Sequence, residues 1–104
     1  MALTQEQKKH FKSIGHHLKP VLIVAENGAT EGVLAELERA LNDHELIKVK
    51  INLAERDDRQ AVVAELCEAS GSELAQVIGK VALLYRKNPK PNKNLSNISR
   101  FLQA

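Results

Sequence analysis

A chain of 104 residues with 43% apolar residues and a single cysteine is sized for one domain and excludes an internal disulfide framework. No segment has the order of a secretory leader or the length of a membrane span, so the expected location is the cytoplasm. The net charge of +2 hides a lopsided distribution: residues 1–20 set Lys8, Lys9, Lys12 and Lys19 against Glu6, residues 79–104 carry six cations and no acid, and every other acid lies between Glu26 and Glu73. Such segregation builds a positive face on a nearly neutral protein, which is the electrostatic footprint of a nucleic-acid binder.

Thr4-Gln5-Glu6-Gln7 matches a capping box, and Phe11, Ile14 and Leu18 recur at helical spacing, so a first helix is expected from about Thr4 to His16 or His17, stopped by Pro20. The unbroken apolar run Val21 to Val24 reads as a strand covered on both faces or central in a sheet. Ala25-Glu26-Asn27-Gly28 then forms a strand-to-helix loop in which Gly28 can reach backbone angles closed to most residues. The second helix opens at Thr30 as N-cap, carries Val33, Leu34, Leu37, Ala40 and Leu41 on one stripe, and turns Glu36, Glu38, Asp43 and Glu45 to water.

From Leu46 to Leu53 the pattern alternates, with Ile47, Val49, Ile51 and Leu53 inward and Lys48, Lys50 and Asn52 on a wet, basic face. Asp57 or Asp58 caps a third helix bearing Val62, Val63, Leu66, Cys67 and Ala69, which ends at Gly71. Leu74 to Ile78 and Val81 to Arg86 flank Gly79-Lys80, a pair suited to a type II′ hairpin. The expected fold is α/β: a small four-stranded mixed sheet with three helices in the order α-β-α-β-α-β-β. The outward lysines of the second strand favour all three helices on one face. Residues 1–86 form the domain; residues 87–104 are a proline-broken polar linker followed by a tail with Leu95, Ile98, Phe101 and Leu102 at helical spacing.

Catalytic chemistry is missing from this pattern, so the chain is not expected to be an enzyme. Cys67 falls on an apolar stripe, and His10, His16, His17 and His44 have no metal-ligand spacing, so neither a reactive thiolate nor a metal or other cofactor is expected. No Gly-x-x-x-x-Gly-Lys-Ser/Thr occurs. The loop Ala25 to Gly28 is a different matter, because the first amides of the helix it opens lack intrahelical partners and carry the positive end of the dipole, a setting that attracts phosphate. With Phe11, Tyr85 and Phe101 as the only aromatics, sequential base stacking on a sheet is excluded, and RNA must be held by backbone and shape.

Three blocks in order, Val24-Ala25-Glu26-Asn27-Gly28-Ala29-Thr30-Glu31-Gly32-Val33, His44 to Lys50, and Gln76-Val77-Ile78-Gly79-Lys80-Val81 running into Leu84-Tyr85-Arg86, resemble the stand-alone bacterial CRM domains, the YhbY-like proteins, from the first helix to Arg86. The resemblance implies a fold similar to the C-terminal domain of translation initiation factor three, RNA binding, and association with precursors of the large ribosomal subunit. It also implies a Gly-x-x-Gly RNA-contacting loop on Ala25, Glu26, Asn27 and Gly28. The first glycine is alanine here, which a negative φ accommodates.

The expectation is a non-enzymatic RNA-binding protein of large-subunit assembly. The loop and the amides of the second helix grip a phosphate, and Lys8, Lys9, Lys12, Lys19, Lys48, Lys50, Lys80, Arg86 and Lys87 extend the footprint. Its partners are large-subunit ribosomal RNA precursor and ribosomal proteins, with neither DNA nor membrane. The alternative is a protein-protein adaptor on ribosome precursors that uses the apolar tail and the acidic second helix and touches RNA incidentally.

Overall fold

The computed structural model describes residues 3–92 and 94–98. The elements follow in the expected order: α1 (Gln5–Gly15), β1 (Pro20–Val24), α2 (Glu31–His44), β2 (Leu46–Ile51), α3 (Arg56–Ser70), β3 (Glu73–Ile78) and β4 (Val81–Tyr85). Both arms of the capping box close on α1, with the Gln7 amide donating to Thr4 Oγ1 at 3.1 Å and the Thr4 amide donating to Gln7 Oε1 at 2.9 Å. Gly71 ends α3 at φ 70°, and Gly79 carries φ 56° at the first central position of the β3–β4 turn, as a type II′ geometry requires. The N-cap of α3 is Glu55, with no side-chain bond, rather than Asp57 or Asp58; those two acids instead sit in the first turn, where the helix dipole favours them.

The sheet runs β1-β2-β4-β3, with β1 parallel to β2 and β4 antiparallel to both of its neighbours. β1 is therefore an edge strand, not a central one. Leu22 and Val24 are buried, while Val21 and Ile23 are 48% and 62% exposed. A four-residue apolar run carries no alternation from which to tell an edge from a centre, and here only the alternate pair meets α2.

Two cores flank the sheet. On one face Leu37 and Leu41 of α2 and Val63 and Leu66 of α3 pack on Val24, Ile47, Val49, Ile51, Ala82 and Leu84. Each fully buried leucine there contributes about 2 kcal/mol of transfer free energy. Of the expected α3 stripe, Ala69 alone is exposed.

On the other face Phe11 and Ile14 of α1 pack on Leu46, Ala75 and Leu83, which corrects the expectation of one-sided layering. The alternation of β2 places Leu46 on the same side as Lys48 and Lys50, so this face is apolar at one end and basic at the other, and α1 covers the apolar end. Gly15 lets it come close, since a Cβ built there stands 3.0 Å from Leu83 Cδ2. Phe11 and Tyr85 stack with ring centroids 4.4 Å apart.

Beyond β4 the described residues fold back onto the end of α2 and the start of β2. The Asn88 amide and Ser96 Oγ donate to the two carboxylate oxygens of Glu45, and Asn97 Nδ2 donates to the Leu46 carbonyl at 2.6 Å. Ile98 packs on the α1 core, whereas Phe101 and Leu102 of the expected tail stripe lie outside the described residues. Among the described residues no helix is long and apolar enough to cross a membrane.

Candidate nucleic-acid interface

Because β1 and β2 are parallel and each is followed by a helix running back, the starts of α2 and α3 and the β3–β4 turn gather at one end of the sheet. Backbone bonds lace this end together: the Asn52 amide donates to the Val24 carbonyl at 2.7 Å, and the Ile51 amide donates to the Lys80 carbonyl at 2.6 Å. In open α/β sheets ligands settle at this carboxyl end of parallel strands.

Ala25 to Gly28 is a tight turn, closed by the Gly28 amide donating to the Ala25 carbonyl at 2.9 Å, with Glu26 and Asn27 exposed at its corners. Gly28 has φ 65°, while Ala25 is not among the residues with positive φ, so the alanine is unstrained where the related motif has glycine. The Gly28 carbonyl accepts from the Thr30 amide at 3.0 Å and sets Thr30 as N-cap, its Oγ1 accepting from the Val33 amide at 3.2 Å. The next intrahelical bond begins at Leu34, so Glu31 and Gly32, both exposed, present the amides that a ligand can take.

Of the basic residues expected to extend the footprint, Lys50 and Lys80 share this end. Lys50 is paired with Ile23 of β1 and Val81 of β4 and is exposed on the part of the sheet face that α1 leaves open. Lys80 sits in the turn itself, and Lys48, one alternation back along β2, lines a small cleft with His16 and Gln76.

The others stand apart. Lys19 precedes β1, a full strand length or about 17 Å from the loop. Lys8 and Lys9 lie further back along α1 than Phe11, which itself stacks on Tyr85 at the far end of β4; Lys12 is half-buried in the last turn. Lys87 is exposed beyond β4. Arg86 is turned to the helices: its guanidinium donates to Glu38 Oε2 at 2.7 Å, Asn42 Oδ1 at 2.8 Å and the Ser70 carbonyl at 2.9 Å, tying α2 and α3 to the end of β4. Nor is the acidic run of α2 wholly a wet face, since Glu38 is the Arg86 partner and Glu45 is buried.

Arg56 was not singled out by its sequence context. It opens α3 at the same end as the loop and lines, with Lys80, a groove of about 650 Å³ between α3 and the β3–β4 hairpin. The signal available was position alone, the first residue of a helix that follows a parallel strand.

Cys67 lines the same groove, and burial pushes its thiol above the ordinary value, a neighbouring Glu73 adding to the effect against an opposing hydrogen bond from Ser72. A raised folded-state value leaves less thiolate at a given pH, so iodoacetamide is expected to label native protein at pH 8 more slowly than protein unfolded in urea, the gap narrowing as pH rises. Equal rates in a timed mass-spectrometric assay at pH 8 contradict this. Among the described residues no group of three or more His, Cys, Asp or Glu side chains is placed to hold a metal ion.

Comparison with known proteins agrees with this architecture. A protein of Pseudomonas aeruginosa named "Probable RNA-binding protein PA4753" is 84% identical over 101 residues, covering 97% of each chain. One of Haemophilus influenzae named "RNA-binding protein" is 45% identical over 84 residues, covering 81% of this chain and 85% of its own. The solution structure of the hypothetical protein SAV1595 from Staphylococcus aureus superposes with a TM-score of 0.76 at 33% identity, covering 89% of this chain and 96% of that one. Residues 3–86 match the family model described as CRS1 / YhbY (CRM) domain. By sequence and by fold, then, the chain belongs to the CRS1/YhbY (CRM) domain family.

Proposed function

We propose that the protein binds RNA without catalysing a reaction, and that it acts in the cytoplasm on large-subunit ribosomal RNA precursor, alongside ribosomal proteins. A phosphate rests in the Ala25 to Gly28 turn, receiving the amides at the start of α2, and the strand continues over Lys80, Lys50 and Lys48. The observation that carries this reading is the convergence of an open turn, a helix N-terminus and lysines from two further elements on one end of the sheet. The names of the relatives support RNA as the ligand class. Glu26 is exposed at the corner of the turn, free to point away from the phosphate.

Titration of a single-stranded ribosomal RNA fragment at several salt concentrations tests it. For three to four neutralised phosphates, log K is expected to fall with log salt at a slope of about −2 to −3. Hydroxyl-radical or crosslink footprinting should protect the region around Asn27. A flat salt dependence with Asn27 left unprotected would instead suit the adaptor reading.

A further inference from the structure

The groove between α3 and the β3–β4 hairpin is unfilled by any side chain, yet it sits beside the proposed phosphate turn. Its volume, about 650 Å³, lies within the range of small-ligand pockets. Its walls are apolar, with Cys67 on one side and Leu74 and Val77, both partly exposed, on the other. Its charge is one-sided. α3 carries Asp57, Asp58, Glu65 and Glu68, but none of them lines the groove, whereas Arg56, Arg59, Gln60 and Lys80 do. The wall is also held in place, since Arg59 Nη1 donates to the Leu53 and Ala54 carbonyls at 2.9 and 2.7 Å and pins the loop that leads into α3.

We infer that this groove receives an unstacked nucleobase of the same RNA strand whose phosphate occupies the Ala25 to Gly28 turn. The inference rests on the RNA-binding reading and deepens it. From the end of β1 to the hairpin turn is two strand spacings, about 10 Å, so a short run of backbone connects the two places. A base entering there exchanges water for aliphatic walls, finds the planar Arg56 guanidinium to stack on and the Gln60 amide to bond, and keeps its phosphates against Arg56 and Lys80. The groove so supplies what the missing aromatics do not. A peptide strand is a poorer occupant, because the register shift between Leu74 and Gln76 interrupts the regular ladder along β3.

The test uses the full chain with two probes of equal length and charge, a 12-nucleotide oligoadenylate and an abasic strand of the same backbone. Two variants fill the groove from the exposed Ala64 of α3 with aliphatic bulk that offers no face for stacking, Ala64→Leu and Ala64→Met, each checked for a native melting transition. Wild type is expected to prefer the oligoadenylate over the abasic strand by about tenfold, the worth of a single stacked base. Filled variants should lose that preference while keeping the abasic affinity and the salt slope. The inference is overturned if the wild type binds both probes equally, if the variants weaken both probes alike, or if both variants bind the oligoadenylate undiminished, which would leave a polypeptide as the occupant. If the wild type binds neither probe at low salt, the RNA-binding reading itself fails.

Discussion

Replacing Lys50 and Lys80 together by glutamate is expected to weaken binding of a single-stranded ribosomal RNA fragment by a hundredfold or more at 0.1 M salt. Each phosphate neutralised on a single strand contributes about 0.7 to the salt slope, which at 0.1 M salt corresponds to about fivefold in affinity per contact. Two contacts therefore account for about 25-fold, and placing carboxylates against phosphates adds repulsion of comparable size. The slope itself should flatten by about 1.4.

Both residues are exposed, and neither packs in a core cluster, so the melting temperature should stay close to that of the wild type. The pair Lys19→Glu and Lys87→Glu changes the net charge equally but at sites away from the turn, beyond the roughly 10 Å screening length at this salt, and is expected to cost less than threefold. Equal losses from the two pairs would mean that net charge, rather than this end of the sheet, governs the affinity.

The parts of the molecule that could be read from the chain are those set by local chemistry. Thr4 and Gln7 cap each other within one turn, Gly71 and Gly79 occupy positive φ where no other residue is comfortable, and Ile47, Val49 and Ile51 alternate with lysines because one face of β2 is buried. What escaped depends on partners distant in sequence. A helical stripe of Phe11 and Ile14 says that α1 is covered on one side, but not which face of the sheet does the covering; that was decided by Leu46, Ala75 and Leu83.

Position in the sheet escaped for a similar reason. The hairpin inserts β4, not β3, beside β2, leaving β1 and β3 as edges. In the candidate interface the turn was legible from Gly28 and the strand before it, whereas the selection of Lys50 and Lys80 from the other basic residues came from the topology. Arg86 shows the opposite case: a cation in a basic segment, it is drawn away from the surface by Glu38, Asn42 and the Ser70 carbonyl, three partners that only the folded chain brings together.

At the far end of the sheet a single polar substitution should cost much of the stability. Glu45 follows α2 with φ 59°, a conformation that side-chain-bearing residues rarely adopt, and the residue is 4% exposed. The carboxylate accepts from Ser96 Oγ at 2.7 Å and from the Asn88 amide at 2.9 Å, while the Glu45 carbonyl accepts from the Arg86 amide at 2.9 Å. One acidic side chain thus clasps the returning segment onto the start of β2.

Glu45→Ala removes a charged acceptor from two donors in a buried setting and keeps the positive φ, and is expected to destabilise by about 2–4 kcal/mol. For a domain of this size that lowers the melting temperature by about 10–20 °C. Glu45→Gly loses the same hydrogen bonds but relieves the backbone, and should recover about 1 kcal/mol relative to alanine. The ordering wild type, then glycine, then alanine is the signature of a clasp built on a strained residue, because at an ordinary φ glycine ranks below alanine. Below the melting transition each variant should bind RNA within about twofold of wild type, since the turn lies at the other end of β2. An alanine variant as stable as wild type in urea titration would remove the clasp from the account.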